Sequence, residues 1–379
     1  MATEIQGFSA QECLNTDFSI WEIGPYHGAL PGPMKLRLVL DGEIVVSGQV
    51  ETGFTHRGLE KTLEIHSWQS SVAYADHLDP DGAAFGELAL CLAVEQVAEI
   101  EVPDRAKVIR IILSELNRIS SHMGFVARMA RSVGAETMLH YVLRDREKVL
   151  DLFELLTGAR FSFNYLRFGG VKNDVTEGFI ERVLEVSELL QSRLKEYNDL
   201  FTFNHAFLKR TLPMGRLDRD AIRRFGITGP AARASGEGAD IRLLFPYSGY
   251  DRFDFDVPKE SGAGGAHHRF LIHLHEILAS ISILKHAAEQ IPKGEFEIGR
   301  IERDFLLPEG EGYSRVESPR GLLACHVVSD GTANPHRIQF RTPTASHLMA
   351  LPDLLRGIGV EDLPVLLASL DLSIAEADR

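Results

Sequence analysis

Cysteine is scarce in this chain: three thiols (Cys13, Cys91 and Cys325) among 379 residues, far apart and odd in number. That count cannot build a disulfide framework. The absence of any Cys-x-x-Cys also argues against a zinc or iron–sulfur site carried by the chain itself. Long apolar runs are missing too, so no segment reads as a membrane span. Positive charge is the minority sign, with 40 Lys and Arg against 54 Asp and Glu and a net charge of −14. The basic residues are dispersed, which excludes a phosphate-binding nucleic-acid surface. The N-terminal MATEIQGFSAQE has neither the charged nor the apolar part of a secretory signal, and a cytoplasmic location is expected.

Phosphate-cradling loops are lacking as well. SGEG (235–238) and SGAGG (261–265) match neither a Walker loop nor a dinucleotide fingerprint. HHRFLIHLHE holds His267, His268, His273 and His275, but no i, i+4 pair shares a face with a carboxylate as a zincin site requires. These read as surface or core histidines. DREK (145–148) reads as a solvated helix face.

What is present is a globular composition, 44% apolar and 25% charged, on a chain long enough for a substantial core. In MKLRLVLDGEIVVSGQV, Leu36, Leu38 and Leu40 alternate with Lys35, Arg37 and Val39 before Asp41-Gly42 breaks the run, which predicts a hairpin. Helical spacing follows over 59–74, 84–99, 103–131 and 136–157, then along TEGFIERVLEVSELLQSRLKEYNDLF. Residues 202–265 read as loop-rich, 266–291 as helix, LLACHVVSDG and PHRIQFRTP as strands, and 344–356 and 361–370 as short helices. The expected class is α+β, mainly α: a long-helix bundle with small antiparallel β elements near both ends. The expected division is a β-hairpin region over 1–55 and a helical body over 56–379, with a β element around 320–343.

HRGLEK places Arg57 and Glu60 three apart at a helix entrance, where both side chains share one face. A capping salt bridge and a proton-handling pair both fit that spacing.

GPYHGALPGPMKLRLVLDGE, ETGFTHRGLEKTLE, LALCLAVEQV, ELNRISSHMGF, DLFELLTGARFSFNYLRFGGV, TGPAARASG, PYSGYDRFDFDVP, ESPRGLLACHVVSDG, RTP and SLDLSIAEADR follow one another in this order. Together they resemble the large catalytic subunit shared by group 4 nickel–iron hydrogenases and respiratory complex I, where it is the D-type or 49-kDa-type subunit. In the hydrogenases, two Cys-x-x-Cys pairs hold the metals. The matching positions here are Asp79 with Gly82 and Ser373 with Glu376. All four thiolates are gone, so the resemblance implies no nickel–iron centre and no metal in this chain. It also implies that Asp79 and Glu376 converge in the vacated cavity, where shared burial raises at least one pKa.

Complex I binds a quinone head group in that cavity, but its histidine, tyrosine and aspartate positions read Pro31, Pro80 and Ser132 here. His27 matches the first histidine of the loop. On the electron-entry side, a family arginine reads His77 and a histidine pair reads Ser162-Phe163. The candidate catalytic residues are Arg57, Glu60, Asp79 and Glu376, with Glu60 as a proton gate. The candidate cofactor-binding residues are His27, His77 and Arg341 of the RTP motif.

The resemblance implies a redox subunit on the cytoplasmic face of the inner membrane, with no cofactor of its own. A [4Fe–4S] cluster would sit in a small iron–sulfur partner of the B type, and a quinone or another small molecule would accept the electrons. A C-type partner and antiporter-like membrane subunits complete the expected assembly. A catalytically silent scaffold in the same assembly is the competing expectation.

Overall fold

A computed structural model describes residues 18–260, 264–299 and 305–379; Cys13 and part of the SGAGG segment lie outside the described residues. The fold is α+β and mainly α. Strands β1 (Phe18–Ile23), β2 (Lys35–Asp41) and β3 (Ile44–Glu51) form an antiparallel sheet in that order. The β2–β3 hairpin follows from the buried Leu36, Leu38 and Leu40 between the half-buried Lys35 and Arg37 and a Val39 that is buried too, and Gly42 takes φ 59° in the turn. β1 escaped the sequence reading because Ile20 and Trp21 are both exposed, leaving no alternation to detect.

The body follows. Helices α1 (Leu59–Ile65) and α2 (Trp68–Ala75) lead into α3 (Ala83–Val97), α4 (Asp104–Ser132) and α5 (Glu136–Thr157). α4 is buried along nearly its whole length and packs against α5 and the later α11, so it is the central rod of the bundle. No helix among the described residues is long and apolar enough to cross a membrane. Two tiny strands, β4 (Leu166–Arg167) and β5 (Gly170–Val171), precede the amphipathic α6 (Phe179–Tyr197). DREK is not wholly solvated: Asp145 is buried and accepts a 2.6 Å hydrogen bond from Tyr197 Oη.

The stretch read as loop-rich holds four short helices, α7 (His205–Thr211), α8 (Arg219–Phe225), α9 (Gly229–Arg233) and α10 (Ile241–Leu244). Three are capped by side chains, Asn204, Asp218 and Asp240. At four to seven residues they are too short to display a helical period. α11 (Ala266–Gln290) then returns through the bundle.

The second sheet, β6 (Gly310–Ser318), β7 (Gly321–Ser329) and β8 (Arg337–Arg341), begins ten residues before the expected 320 because β6 was not foreseen. Helices α12 (Pro343–Leu355), α13 (Leu363–Ser369) and α14 (Ile374–Asp378) close the described fold. The N-terminal sheet is sutured to them: Val45 N donates to Ile358 O at 2.9 Å and Gly357 N to Val45 O at 2.7 Å.

One close contact sets the link that carries the site. A Cβ on Gly86 of α3 would stand 2.2 Å from the carbonyl oxygen of Ala75, at the end of α2. Gly86→Ala is expected to lower stability by about 1–3 kcal/mol through overpacking, read by urea unfolding. It should also displace the 76–82 connector.

Candidate active site

That connector buries Asp79 and sets the half-buried Asp81 beside it. The tight β6–β7 turn delivers Arg320, whose side chain is 2% exposed. Arg320 Nη1 donates to Asp79 Oδ2, and its Nε donates to the Asp371 carbonyl at 2.8 Å. Asp371 lies between α13 and α14 with φ 49°, an uncommon conformation for a non-glycine residue. Its Oδ1 accepts from Arg128 of α4 at 2.5 Å. Arg128 also bonds Asp81 at 3.0 Å, and Arg146 of α5 bonds the other Asp81 oxygen at 3.2 Å.

Asp79 Oδ1 accepts from Ser373 Oγ at 2.9 Å, and Glu376 Oε1 accepts from Thr344 N at 2.9 Å. Asp79 and Glu376 are both buried and interact through their charges. Burial first, then the Asp79 charge, pushes the Glu376 carboxyl up to about 7. Burial likewise raises Asp79, against the pull of Arg320. Burial works on Asp371 too, but Arg320 and Arg128 outweigh it and hold that carboxyl well below the usual range. Gly82 is part of the device: a Cβ there would meet Asp79 Oδ2 at 2.5 Å, so the missing side chain is the space into which the carboxylate folds.

Arg57 and Glu60 do not pair, contrary to the shared face read from HRGLEK. Gly58 takes φ 61° as the N-cap of α1, so Arg57 precedes the helix and points elsewhere. Its guanidinium donates to Ala375 O at 3.0 Å and His77 O at 2.6 Å, tying the segment that carries Glu376 to the one that carries Asp79. Glu60 accepts from Phe340 N at 2.9 Å, Arg379 Nε at 3.0 Å and Arg337 Nη2 at 3.4 Å. The neighbouring loop grips α14 as well: Asp378 accepts from Gly53 N at 2.8 Å, Thr55 N at 2.9 Å and Thr55 Oγ1 at 2.8 Å. Asp378→Ala is expected to cost about 3 kcal/mol, because two backbone donors lose a charged acceptor. Thermal unfolding of the purified chain reads that loss.

The candidate binding residues lie apart from the cluster. His27 is exposed, and its Nδ1 accepts from Ala29 N at 3.2 Å, shaping its own loop. The His77 side chain is exposed, and only its carbonyl joins the site. Arg341 donates to Leu322 O at 2.6 Å and Gly226 O at 2.8 Å, bracing the second sheet. A cavity of about 450 Å³ lies between the 28–31 loop, the end of α4 and α13, with Pro31, Arg128, Arg131 and Ser132 in its lining. Pro31 and Ser132 thus share one cavity, and Arg128 joins it to Asp81 and Asp371. The sequence reading missed Asp81, Arg128, Arg146, Arg320 and Asp371. ESPRG and SLD were visible as motifs, but nothing in their spacing foretold an ion cluster.

Residues 132–303 and 298–379 match the profile of the family described as the respiratory-chain NADH dehydrogenase, 49 Kd subunit. The chain belongs to this family. Relatives named as the D-type subunit of NADH-quinone oxidoreductase span it almost end to end. That of Dehalococcoides mccartyi is 38% identical over 367 residues, covering 97% of this chain and 100% of its own length. That of Desulforamulus reducens is 37% identical over 365 residues, covering 96% and 99%. The one numbered 2 in Chloroflexus aurantiacus is 35% identical over 391 residues, covering 96% and 95%.

Within this 49-kDa-type fold, the residues that the resemblance sets at the hydrogenases' metal positions do not suit nickel and iron. None is a thiolate, Asp79 is engaged by Arg320, and Gly82 offers no donor. Cys91 and Cys325 are buried in α3 and β7, and burial pushes both thiols up, away from the thiolate form. No group of three or more His, Cys, Asp or Glu among the described residues is placed to hold a metal ion.

Proposed function

We propose that this chain is a core subunit of a membrane-associated quinone-reducing complex and that its Asp79–Glu376 pair exchanges protons as electrons reach an acceptor. The observation that carries the reading is the Glu376 carboxyl, poised at about 7 in a buried cluster that Arg320, Asp371 and Arg128 connect to a 450 Å³ cavity. A group titrating near the working pH suits general acid–base chemistry.

The electrons would arrive from a [4Fe–4S] cluster in a small iron–sulfur partner of the B type, and the acceptor would occupy the cavity. C-type and antiporter-like membrane partners would hold the chain at the cytoplasmic face of the inner membrane and convert proton movement into transport. Arg57 positions the two carboxylate-bearing segments, and Glu60 gates protons beside Arg337 and Arg379. Glu60→Gln is expected to slow turnover about tenfold, near the worth of one hydrogen bond to a charged group, with assembly unchanged. Quinone-reduction assays on the assembled complex measure it.

One observation favours the scaffold reading: the proline and serine at the quinone positions give this cavity no imidazole or carboxyl donor there. The purified complex separates the two. Quinone reduction that depends on Glu376 supports chemistry, and a fully assembled but inert complex supports the scaffold.

A further inference from the structure

The cluster around Arg320 does not balance on paper. Three guanidiniums (Arg128, Arg146 and Arg320) face four carboxyls (Asp79, Asp81, Asp371 and Glu376). With each of these seven ionised, one negative charge is left over among them, and such a charge in a largely buried site is costly unless a proton or a nearby cation offsets it. Glu376 can take that proton. A second group is placed to do so.

His273 of α11 is 2% exposed and stacks on Phe125 of α4, with ring centroids 3.7 Å apart. Its Nδ1 lies 2.7 Å from the Arg269 carbonyl oxygen. A carbonyl only accepts, so Nδ1 carries a hydrogen. In a neutral ring Nε2 would then be bare, and Nε2 faces Asp371 Oδ2 at 3.7 Å. Both atoms are buried, and neither has a hydrogen-bond partner. Two facing lone pairs would be an unfavourable arrangement, whereas a proton on Nε2 converts it to a charge-assisted contact after a small closure.

The groups around His273 leave it alone in this role. On α4, burial drives His122 down to about 4, and its Nε2 meets Glu276 at 3.1 Å, so it is a neutral donor to a different carboxylate. On α12, burial also holds His347 at about 4. The Arg269 guanidinium turns away to Ser369, Gly215 and Gly264. Arg320 and Arg128 bond Asp371 from the β6–β7 turn and α4, through its carbonyl and its Oδ1; Oδ2 accepts no hydrogen bond and stands 3.7 Å from both Arg320 Nε and His273 Nε2. Arg341 adds a positive charge near Glu376 but bonds none of the four carboxyls, its hydrogen bonds going to carbonyls and Ser346.

We propose that His273 is the proton reservoir of this site, holding as an imidazolium against Asp371 the proton that Glu376 takes up. The inference rests on Glu376 as the exchanging carboxyl of the proposed function. Two arrangements leave the cluster neutral: His273 protonated with Glu376 ionised, or His273 neutral with Glu376 protonated. Moving between them breaks one N–H bond at Nε2 and forms one O–H bond at Glu376, with no change in net charge. His273 is therefore a positioning and proton-supplying residue that need not touch the acceptor.

The test uses the purified full chain with ¹⁵N-labelled histidine rings, followed by NMR across a pH titration. The His273 signals are assigned by their loss in His273→Gln, and in His273→Arg should the first variant fail to fold. Both ring nitrogens are expected to carry hydrogen in the parent chain. In Glu376→Gln the cluster is neutral without the extra proton, so the His273 midpoint should fall by about one pH unit or more. A bare Nε2 in the parent chain, or a midpoint that Glu376→Gln leaves in place, overturns the proposal. Turnover lost in Glu376→Gln with an unmoved His273 midpoint sinks the reservoir alone. A shifted midpoint with unchanged turnover sinks the functional reading instead.

Discussion

Glu376→Gln is expected to lower quinone reduction by the assembled complex about 10²–10⁴-fold, the usual contribution of a positioned acid–base group. Glutamine keeps an oxygen to accept from Thr344 N, where Glu376 Oε1 now accepts at 2.9 Å, so the fold should persist while the exchangeable proton is lost. Stability should move the other way. The native carboxyl is raised from 4.5 to about 7, so between those values the folded chain holds a proton that the unfolded chain has released. Stability contributed by this group is therefore complete below the unfolded pKa and is lost as pH rises through the folded one. Above neutrality the residual penalty is on the order of 3 kcal/mol. Urea unfolding at acid and alkaline pH should show the variant matching the parent below about pH 4 and exceeding it above about pH 7. An unchanged pH slope and unchanged turnover would remove Glu376 from the mechanism.

Arg320→Ala is expected to destabilise the chain by about 3–5 kcal/mol, the usual cost of stripping one partner from a buried ion cluster. Arg320 meets Asp79 and the Asp371 carbonyl directly and is nearly inaccessible to water. Its loss leaves carboxyls that already sit under a burial penalty with less compensation, so Asp79 and Glu376 should take up protons at higher pH. Arg320→Lys should recover part of the charge but not the fork that bonds two groups at once. Denaturation midpoints of the two variants, with infrared titration of protonated carboxyls, measure both effects. A near-parent midpoint for Arg320→Ala would show that the cluster is not organised around this residue.

The helical body was legible because long helices repeat their pattern many times. The α4 periodicity runs through 29 residues, and the alternation of Leu36, Leu38 and Leu40 marked the first hairpin. Short elements carry no such redundancy, which is why α7 to α10 and the exposed β1 went unread. Arg57 and Glu60 show how spacing misleads. One left-handed residue, Gly58, turned an expected helical pair into two side chains with separate partners. The convergence of residues 79 and 376 came from the resemblance alone, through the positions that match the hydrogenases' thiolates. Arg320, Asp371 and His273 gave no signal, because an ion cluster assembled from a connector, a hairpin turn, the α13–α14 link and four helices has no local pattern.

Ser373 and Asp79 meet across 294 positions of chain, and Asp378 reaches Gly53 across 325. Contacts so distant in sequence carry a large closure entropy and tend to form late in folding. The site is thus completed only when the two ends of the described chain have come together. A neighbouring protein that recognises the finished pocket would, by the same act, be checking that the polypeptide had folded correctly.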